Sequence, residues 1–186
     1  MRIISGYHKG KKLAQPKTKV TRPLKDLTKE SIFNILQHSE LVSFKLQKSK
    51  VLDLFSGVGS FGLECLSRGA EKVVFCENNF ETLKILEKNI TNLKYQQKTT
   101  IFKKNIFDFK SLNQFYEKKF ELIFLDPPYK EKSLSNLLDE ILSLKLLSNS
   151  GIIVIHRHKK EKEIYPKNFK ILKTKTYGIS KIIFGS

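Results

Sequence analysis

The stretch VLDLFSGVGSFG, from Val51 to Gly62, decides the fold. It opens as an apolar strand, Val51 to Phe55, with one carboxylate, Asp53, set inside it. Gly57, Gly59 and Gly62 follow at the spacing G-x-G-x-x-G, and Ser60 to Arg68 then reads as a helix stopped by Gly69. Glycines let the backbone turn tightly and approach a ligand closely, and the helix after them presents its N-terminus at the same place. Glu77 closes the next apolar run, Val73 to Glu77, about twenty residues after Gly57, where a carboxylate can accept both hydroxyls of a ribose. Strand, glycine loop, helix and acid in that order point to a bound nucleoside cofactor.

Working outward, strand and helix keep alternating. Asn79 can cap a helix running to about Leu93, with Leu83, Leu86, Ile90 and Leu93 at helical spacing. TTIFKK, ELIFL and GIIVIH are three further strands, separated by helical segments near 108–117 and 132–146. Near-continuous apolar strands between helices predict a parallel sheet covered on both faces. The tail departs from this pattern: FKILKTKTY, a turn at Gly178 and SKIIFG read as an antiparallel hairpin. Before the core, residues 2–4 and 12–14 suggest a short hairpin around the Gly6 to Gly10 turn. A loop, Gln15 to Pro23, then leads to a helix of about 24–38 with Leu27, Ile32, Phe33, Ile35 and Leu36 on its apolar face. The reading is one α/β domain over 1–186, with a basic N-terminal extension (1–48) and a cofactor-binding core (49–186).

Of the net charge of +17, residues 1–50 carry 12 Lys and Arg against 3 acids, residues 51–150 carry 14 against 13, and residues 151–186 carry 9 against 2. A composition bias would spread along the chain, whereas this excess sits at the two ends. Arg2, Lys9, Lys11, Lys12, Lys17, Lys19, Arg22 and Lys25 all precede the first acid, Asp26. Such clustering is the electrostatic footprint of a polyanion partner. Nucleic acid is expected rather than membrane, because no basic amphipathic helix with a bulky apolar face and no long apolar run is seen. Cys65 and Cys76 form no metal-ligand spacing, and a reduced, cytoplasmic setting is expected. His156 and His158 resemble a metal pair but lack further His or Cys partners, so they read as surface or RNA-facing and no metal is expected.

The chemistry is read from the ends of the strands, where open parallel sheets bind ligands. Asp53 stands before the glycines, where it would meet a positive ammonium group better than a pyrophosphate. A dinucleotide would also need a second mononucleotide-binding half, and the fourth strand ends instead in Asp126-Pro127-Pro128-Tyr129. S-adenosylmethionine offers an ammonium, a ribose and an adenine, which Asp53, Glu77 and the Asn105-Ile106 strand end match in turn. Phe55 and Asn78, beside these strand ends, complete the expected cofactor set. The exocyclic amine of a nucleobase is a poor nucleophile, its lone pair being delocalised into the ring. The Asp126 carboxylate and the Pro127 carbonyl can hold its two N–H bonds and stabilise the charge that grows on nitrogen. The prolines stiffen that corner, and Tyr129 can stack on the base. Arg22 is a candidate for a phosphate or cofactor carboxylate, while Tyr177 to Ser180 is most simply a turn.

Five blocks carry a resemblance. They are Arg2-Ile-Ile-Ser-Gly6 with Gly10-Lys-Lys-Leu13 and Pro16; Arg22-Pro23 with Asp26, Lys29-Glu30 and Phe33-Asn34-Ile-Leu36; Leu52 to Glu64 with Ser67-Arg68-Gly69-Ala70; Asp126 to Tyr129; and Tyr177-Gly178-x-Ser180. Together they resemble the RsmD family of bacterial 16S rRNA guanine-N2 methyltransferases over nearly the whole chain. The resemblance implies a Rossmann-like class I methyltransferase fold, S-adenosylmethionine as methyl donor, and a guanine of small-subunit rRNA within the 30S particle as target. It also implies a basic N-terminal RNA-binding region, here Arg2, Lys9, Lys11, Lys12 and Arg22 with Tyr129. Two positions depart from the family pattern: Asn105 stands where many members carry Asp, and His156 where many end the fifth strand in a carboxylate. DNA adenine-N6 methylation shares the Asp-Pro-Pro-Tyr corner but needs a target-recognition segment that 186 residues leave little room for. A non-catalytic RNA-binding protein would leave that corner unexplained. A monomer is expected.

Overall fold

The structure, a computed structural model, describes residues 1–16, 24–39, 44–116, 118–128 and 131–186. Arg22 and Tyr129, and with them Lys17 and Lys19, lie outside the described residues. Seven strands form one sheet in the order β3-β2-β1-β4-β5-β7-β6. β1 (Lys50–Asp53) lies between β2 (Lys72–Cys76) and β4 (Phe120–Leu125), β3 (Thr99–Phe102) flanks β2, and β5 (Leu147–His158) flanks β4. These five strands are parallel. The hairpin expected at the tail is β6 (Ile171–Tyr177) and β7 (Ser180–Gly185), and β7 runs antiparallel to β5. From β1 the chain builds outward first through β2 and β3, then through β4 and β5, so the topology switches direction between β1 and β4.

Alternation along the strands feeds two cores. Val51, Val73, Phe75, Leu122, Phe124 and Val154 face one layer, with α1 (Asp26–His38), α2 (Ser60–Ser67) and α3 (Phe80–Asn92). Leu52, Ile123, Leu125, Ile153 and Ile155 face the other, with α4 (Leu134–Ser143) and a 3-10 segment, Phe109–Phe115, where the sequence suggested an ordinary helix. The rings of Phe33, Phe61 and Phe124 stack in series, with centroids 5.1 and 3.8 Å apart, and tie α1 to α2 and α2 to the strand that leads to Asp126. Every residue of α2 is buried. Gly62 is what lets it lie so close to β2: a Cβ there would come within 2.3 Å of the Phe75 ring.

Further expectations change. The first strand ends at Asp53, and Leu54 and Phe55 already belong to the turn. The buried face of α1 is Thr28, Lys29, Ile32, Phe33 and Leu36, whereas Leu27 is 78% exposed. A hydrophobic side chain was expected inward at Leu27, but the helix turns Lys29 inward to meet a buried acid on α2, and that rotation sends Leu27 to solvent. The N-terminal hairpin is a single bridge, Arg2 with Lys12, closed by Ile3 N–H donating to Lys11 O and Gly10 N–H donating to Ile3 O.

Candidate active site at the strand ends

Asp53 is the last residue of β1 and is 1% exposed. Its Oδ2 accepts from Gly62 N–H at 3.1 Å, while its buried Oδ1 has no hydrogen-bond partner among the described residues. Burial pushes its pKa up to about 8; the Gly62 N–H works against that rise, and the negative charges of Asp126 and Glu77 add to it. Asp53 therefore feels the carboxylates at the ends of both neighbouring strands. An orphaned acceptor inside an acidic group is what a cationic ligand would satisfy, so the residues present fit the ammonium and sulfonium of S-adenosylmethionine.

Glu77 follows β2. Its Oε2 accepts from Gly57 N–H at 3.0 Å, and its Oε1 accepts from Asn78 and Asn79 N–H at 2.9 and 2.8 Å. Gly59 adopts a left-handed conformation (φ 85°) as the residue before α2, and a Cβ there would meet Leu86 Cδ1 at 2.5 Å. The loop thus folds between the Glu77 carboxylate and α3. Beside it lies a cleft of about 250 Å³ lined by Phe55, Glu77, Asn78, Asn105 and Ile106, together with Leu54, Cys76, Lys104, Phe107 and Pro128. Asn105 Oδ1 accepts from Phe107 N–H at 3.0 Å, which holds the turn, and the Phe55 and Phe107 rings lie 5.4 Å apart. Five expected cofactor residues meet in this cleft; Asp53, at the end of β1, and Gly57 and Gly59, in the loop after it, are not among the lining residues.

Asp126 follows β4, with its side chain 20% exposed. His156, expected at the surface or facing RNA, is instead 6% exposed and stands beside it, Nδ1 at 2.8 Å from Asp126 Oδ1 and Nε2 at 2.9 Å from Ser180 Oγ. The correction has a plain cause: β5 is flanked on both sides, so its polar end is covered by β4 and β7. Arg157, 1% exposed, donates from Nη1 to Pro128 O at 2.9 Å and to Pro127 O at 3.4 Å, and from Nη2 to Glu131 O at 3.0 Å. Its Nε pairs with Glu163. The corner is braced from below by a buried guanidinium as well as by its prolines. Sequence reasoning missed Arg157 and Ser180. The available signal was the run His156-Arg157 ending an apolar strand next to that corner.

The N-terminal arm is docked by polar groups. Glu64 on α2, 0% exposed, accepts from Ile4 and Ser5 N–H at 2.7 and 2.9 Å and pairs with Lys29 and Arg68 at 3.5 and 2.7 Å. Lys29 Nζ also donates to Arg2 O, and burial lowers its pKa against the opposing pull of Glu64. Asn89 on α3 bridges Ala14 to the glycine loop, donating to Ala14 O and Val58 O and accepting from Ala14 N–H. Lys9, Lys11, Lys12 and Arg2 remain exposed on the outer side, with Arg2 loosely beside Asp26 at 3.7 Å.

A sheet ordered β3-β2-β1-β4-β5-β7-β6 with β7 reversed, and acids at the ends of β1, β2 and β4, defines a Rossmann-like class I methyltransferase fold. The solved structure of yhhF from Escherichia coli shares it, with a TM-score of 0.81 at 24% identity over 100% of this chain and 96% of that one. The chain belongs to the RsmD family: residues 1–186 match the family described as conserved hypothetical protein 95. Ribosomal RNA small subunit methyltransferase D of Haemophilus influenzae is 34% identical over 184 residues, 96% of this chain and 90% of that protein. The protein of the same name from Buchnera aphidicola (subsp. Acyrthosiphon pisum) is 30% identical over 173 residues, 93% and 86% of the two chains.

Proposed function

We propose that this chain methylates the exocyclic N2 of a guanine in the 16S rRNA of the small ribosomal subunit, with S-adenosylmethionine as donor. The observation that carries the reading is the gathering of Asp53, Glu77 and Asp126 at the switch point of the sheet, in a chain whose net charge is +17. Against such a background, an acidic group with an orphaned buried oxygen is a site for a small cation. Asp53 would hold the positive end of the cofactor, Glu77 the ribose, and Asn105 with Ile106 the adenine, in the cleft that Phe55 and Asn78 also line. When bound, the cofactor supplies a methyl group on a sulfonium, which departs with the C–S electron pair left on sulfur.

The protein's own part is to hold the amine. Asp126 accepts one N–H of the guanine amine, and the second lone pair of the Pro127 carbonyl accepts the other. The nitrogen lone pair is thereby aimed at the methyl carbon. The nitrogen becomes positive as the N–C bond forms and then gives one proton to solvent, and Asp126 stabilises that charge while it lasts. Holding two reactants in line supplies roughly 7–11 kcal/mol of barrier reduction, so a stiff corner matters more than a strong base. Tyr129 would stack on the flipped base. Arg2, Lys9, Lys11, Lys12 and Arg22 would take phosphates, repaying the few kcal/mol that unstacking costs. The reading includes a cytoplasmic monomer; among the described residues no helix is long and apolar enough to cross a membrane.

The test is tritium transfer from labelled S-adenosylmethionine to 30S particles lacking their native methylations, to naked 16S rRNA and to duplex DNA, with the product identified by mass. N2-methylguanosine from the 30S sample is expected. N6-methyladenine in the DNA would overturn the substrate, and no transfer to any of them would overturn the reaction. Asp126→Ala is expected to lose at least about 10²-fold in turnover, as for a lost transition-state contact, with cofactor affinity unchanged.

A further inference from the structure

His156 is the buried polar group that the methyl-transfer reading leaves without work. Its place is set by strand register. Ile155 pairs with Leu125 on β4, so the next residues, His156 and Asp126, come side by side. On the other flank His158 pairs with Ser180, two positions along, which puts Ser180 on the same face as His156. The imidazole therefore bridges three strands: Ser180 Oγ lies 2.9 Å from Nε2, and Asp126 Oδ1 lies 2.8 Å from Nδ1.

The order of contacts is that of a Ser-His-Asp triad, but the exposures run the other way. Ser180 is 6% exposed inside the β5–β7 pair, where no substrate carbonyl could reach its hydroxyl, while Asp126 stands past the end of β4, two residues before the cleft-lining Pro128, with its side chain 20% exposed. Serine is the anchor here and aspartate the working end. The donors and acceptors match when the Ser180 hydroxyl donates to Nε2 and the ring proton sits on Nδ1, donating to Asp126 Oδ1. That bond fixes the plane of the carboxylate and leaves Oδ2 to accept an amine N–H.

We infer that His156, anchored by Ser180, is a positioning residue that orients Asp126 for the nucleobase amine. The inference rests on the methyl-transfer reading for its consequence, but its geometry can be tested without turnover. In the full-length protein, imidazole ¹⁵N shifts report the tautomer, with the His156 signals assigned by their loss in His156→Gln. The expected result is a proton on Nδ1 that leaves Nδ1 in Asp126→Ala. A ring protonated on Nε2 alone, unchanged by Asp126→Ala, overturns the inference whatever the enzyme does.

Turnover supplies the second arm. In His156→Asn an amide nitrogen replaces Nδ1 and keeps the bond to Asp126; in His156→Gln it replaces Nε2 and keeps only Ser180. His156→Gln and His156→Ala are expected to lose about 10²-fold in kcat, the scale of a misplaced reacting group. KM for RNA and for cofactor should be unchanged, and His156→Asn should recover most of the loss. Ser180→Ala should fall between. A merely structural histidine would make the Asn and Gln variants fall alike, in step with their melting temperatures, and that result, or a His156→Gln variant with full kcat, overturns the inference. If wild-type protein transfers no methyl group while the tautomer is as expected, it is the reaction that has failed and the positioning geometry that stands.

Discussion

Two carboxylates, eleven positions apart in the chain and both buried, meet opposite treatment: Asp53 is 1% and Glu64 0% exposed. Glu64 is surrounded by donors: the Lys29 ammonium, the Arg68 guanidinium and two backbone N–H groups of the N-terminal arm. Asp53 has the Gly62 N–H and two neighbouring acids, and one oxygen is left over among the described residues. A buried charge is costly unless it is compensated. Glu64 is compensated by the fold itself, which makes it a fastener. Asp53 has only one of its two oxygens satisfied among the described residues, which makes the other a place for something else.

The contrast can be broken most forcefully at the fastener. Glu64→Ala leaves Lys29 buried without its carboxylate and frees two backbone donors of the arm. A loss of about 3–5 kcal/mol is expected, read from denaturant melts, with early proteolysis near Ile4 and Ser5. Survival of the melting midpoint would show that Lys29 finds water instead.

Asp53 should give the opposite sign. Its folded-state pKa, about 8, lies above its ordinary value of 3.8, so the native state binds more protons than the unfolded state between those limits. Stability then falls as pH rises from about 4 to 8 through this group. Asp53→Asn keeps an acceptor for Gly62 N–H, removes that slope, and is expected to be more stable than wild type at pH 8 and equal to it near pH 4. Cofactor binding should move the other way. Loss of a charged hydrogen bond worth about 1.5–3 kcal/mol predicts at least about tenfold weaker binding at pH 8. Wild-type affinity should tighten as pH rises toward 8, and the Asn variant should not. A calorimetric titration at several pH values reads both.

The smallest effect belongs to the outer side of the arm. Lys9 is exposed on the turn, away from the docked strand. Lys9→Ala should leave stability unchanged and reduce the salt slope of rRNA binding by about 1, as for one lost phosphate contact. An unchanged slope would move the RNA surface elsewhere.

The contrast between the two acids also marks where sequence reading succeeds. Around Asp53 the signals that exposed it were local: an apolar strand, glycines at fixed spacing, a helix, and an acid at the next strand end, all within Val51 to Glu77. Glu64 sits in the same stretch, yet its partners Lys29, Ile4 and Ser5 come from tens of residues upstream. Nothing in the spacing of α1 distinguishes an inward lysine from an outward leucine, so the face was set one position wrong at Leu27. His156 was misjudged, and Arg157 missed, for a related reason. Polarity at a strand end reads as exposure, but here the neighbouring strands close over it.

The alternation of strands and helices, the antiparallel tail, the glycine loop, the acids at the strand ends and the charge at the two termini were all legible in the chain. These are matters of period, spacing and count, and they survive without a third dimension. Folding had to bring the chain together before it could be seen which buried charges are paired, that Arg157 braces the Asp126 corner, and that His156 links Asp126 to Ser180. The Lys29–Glu64, Arg157–Pro128, His156–Asp126 and His156–Ser180 contacts join residues 24 to 35 positions apart, brought together by sheet register and helix packing. Register and packing are properties of the whole chain's fit, and no local pattern carries them.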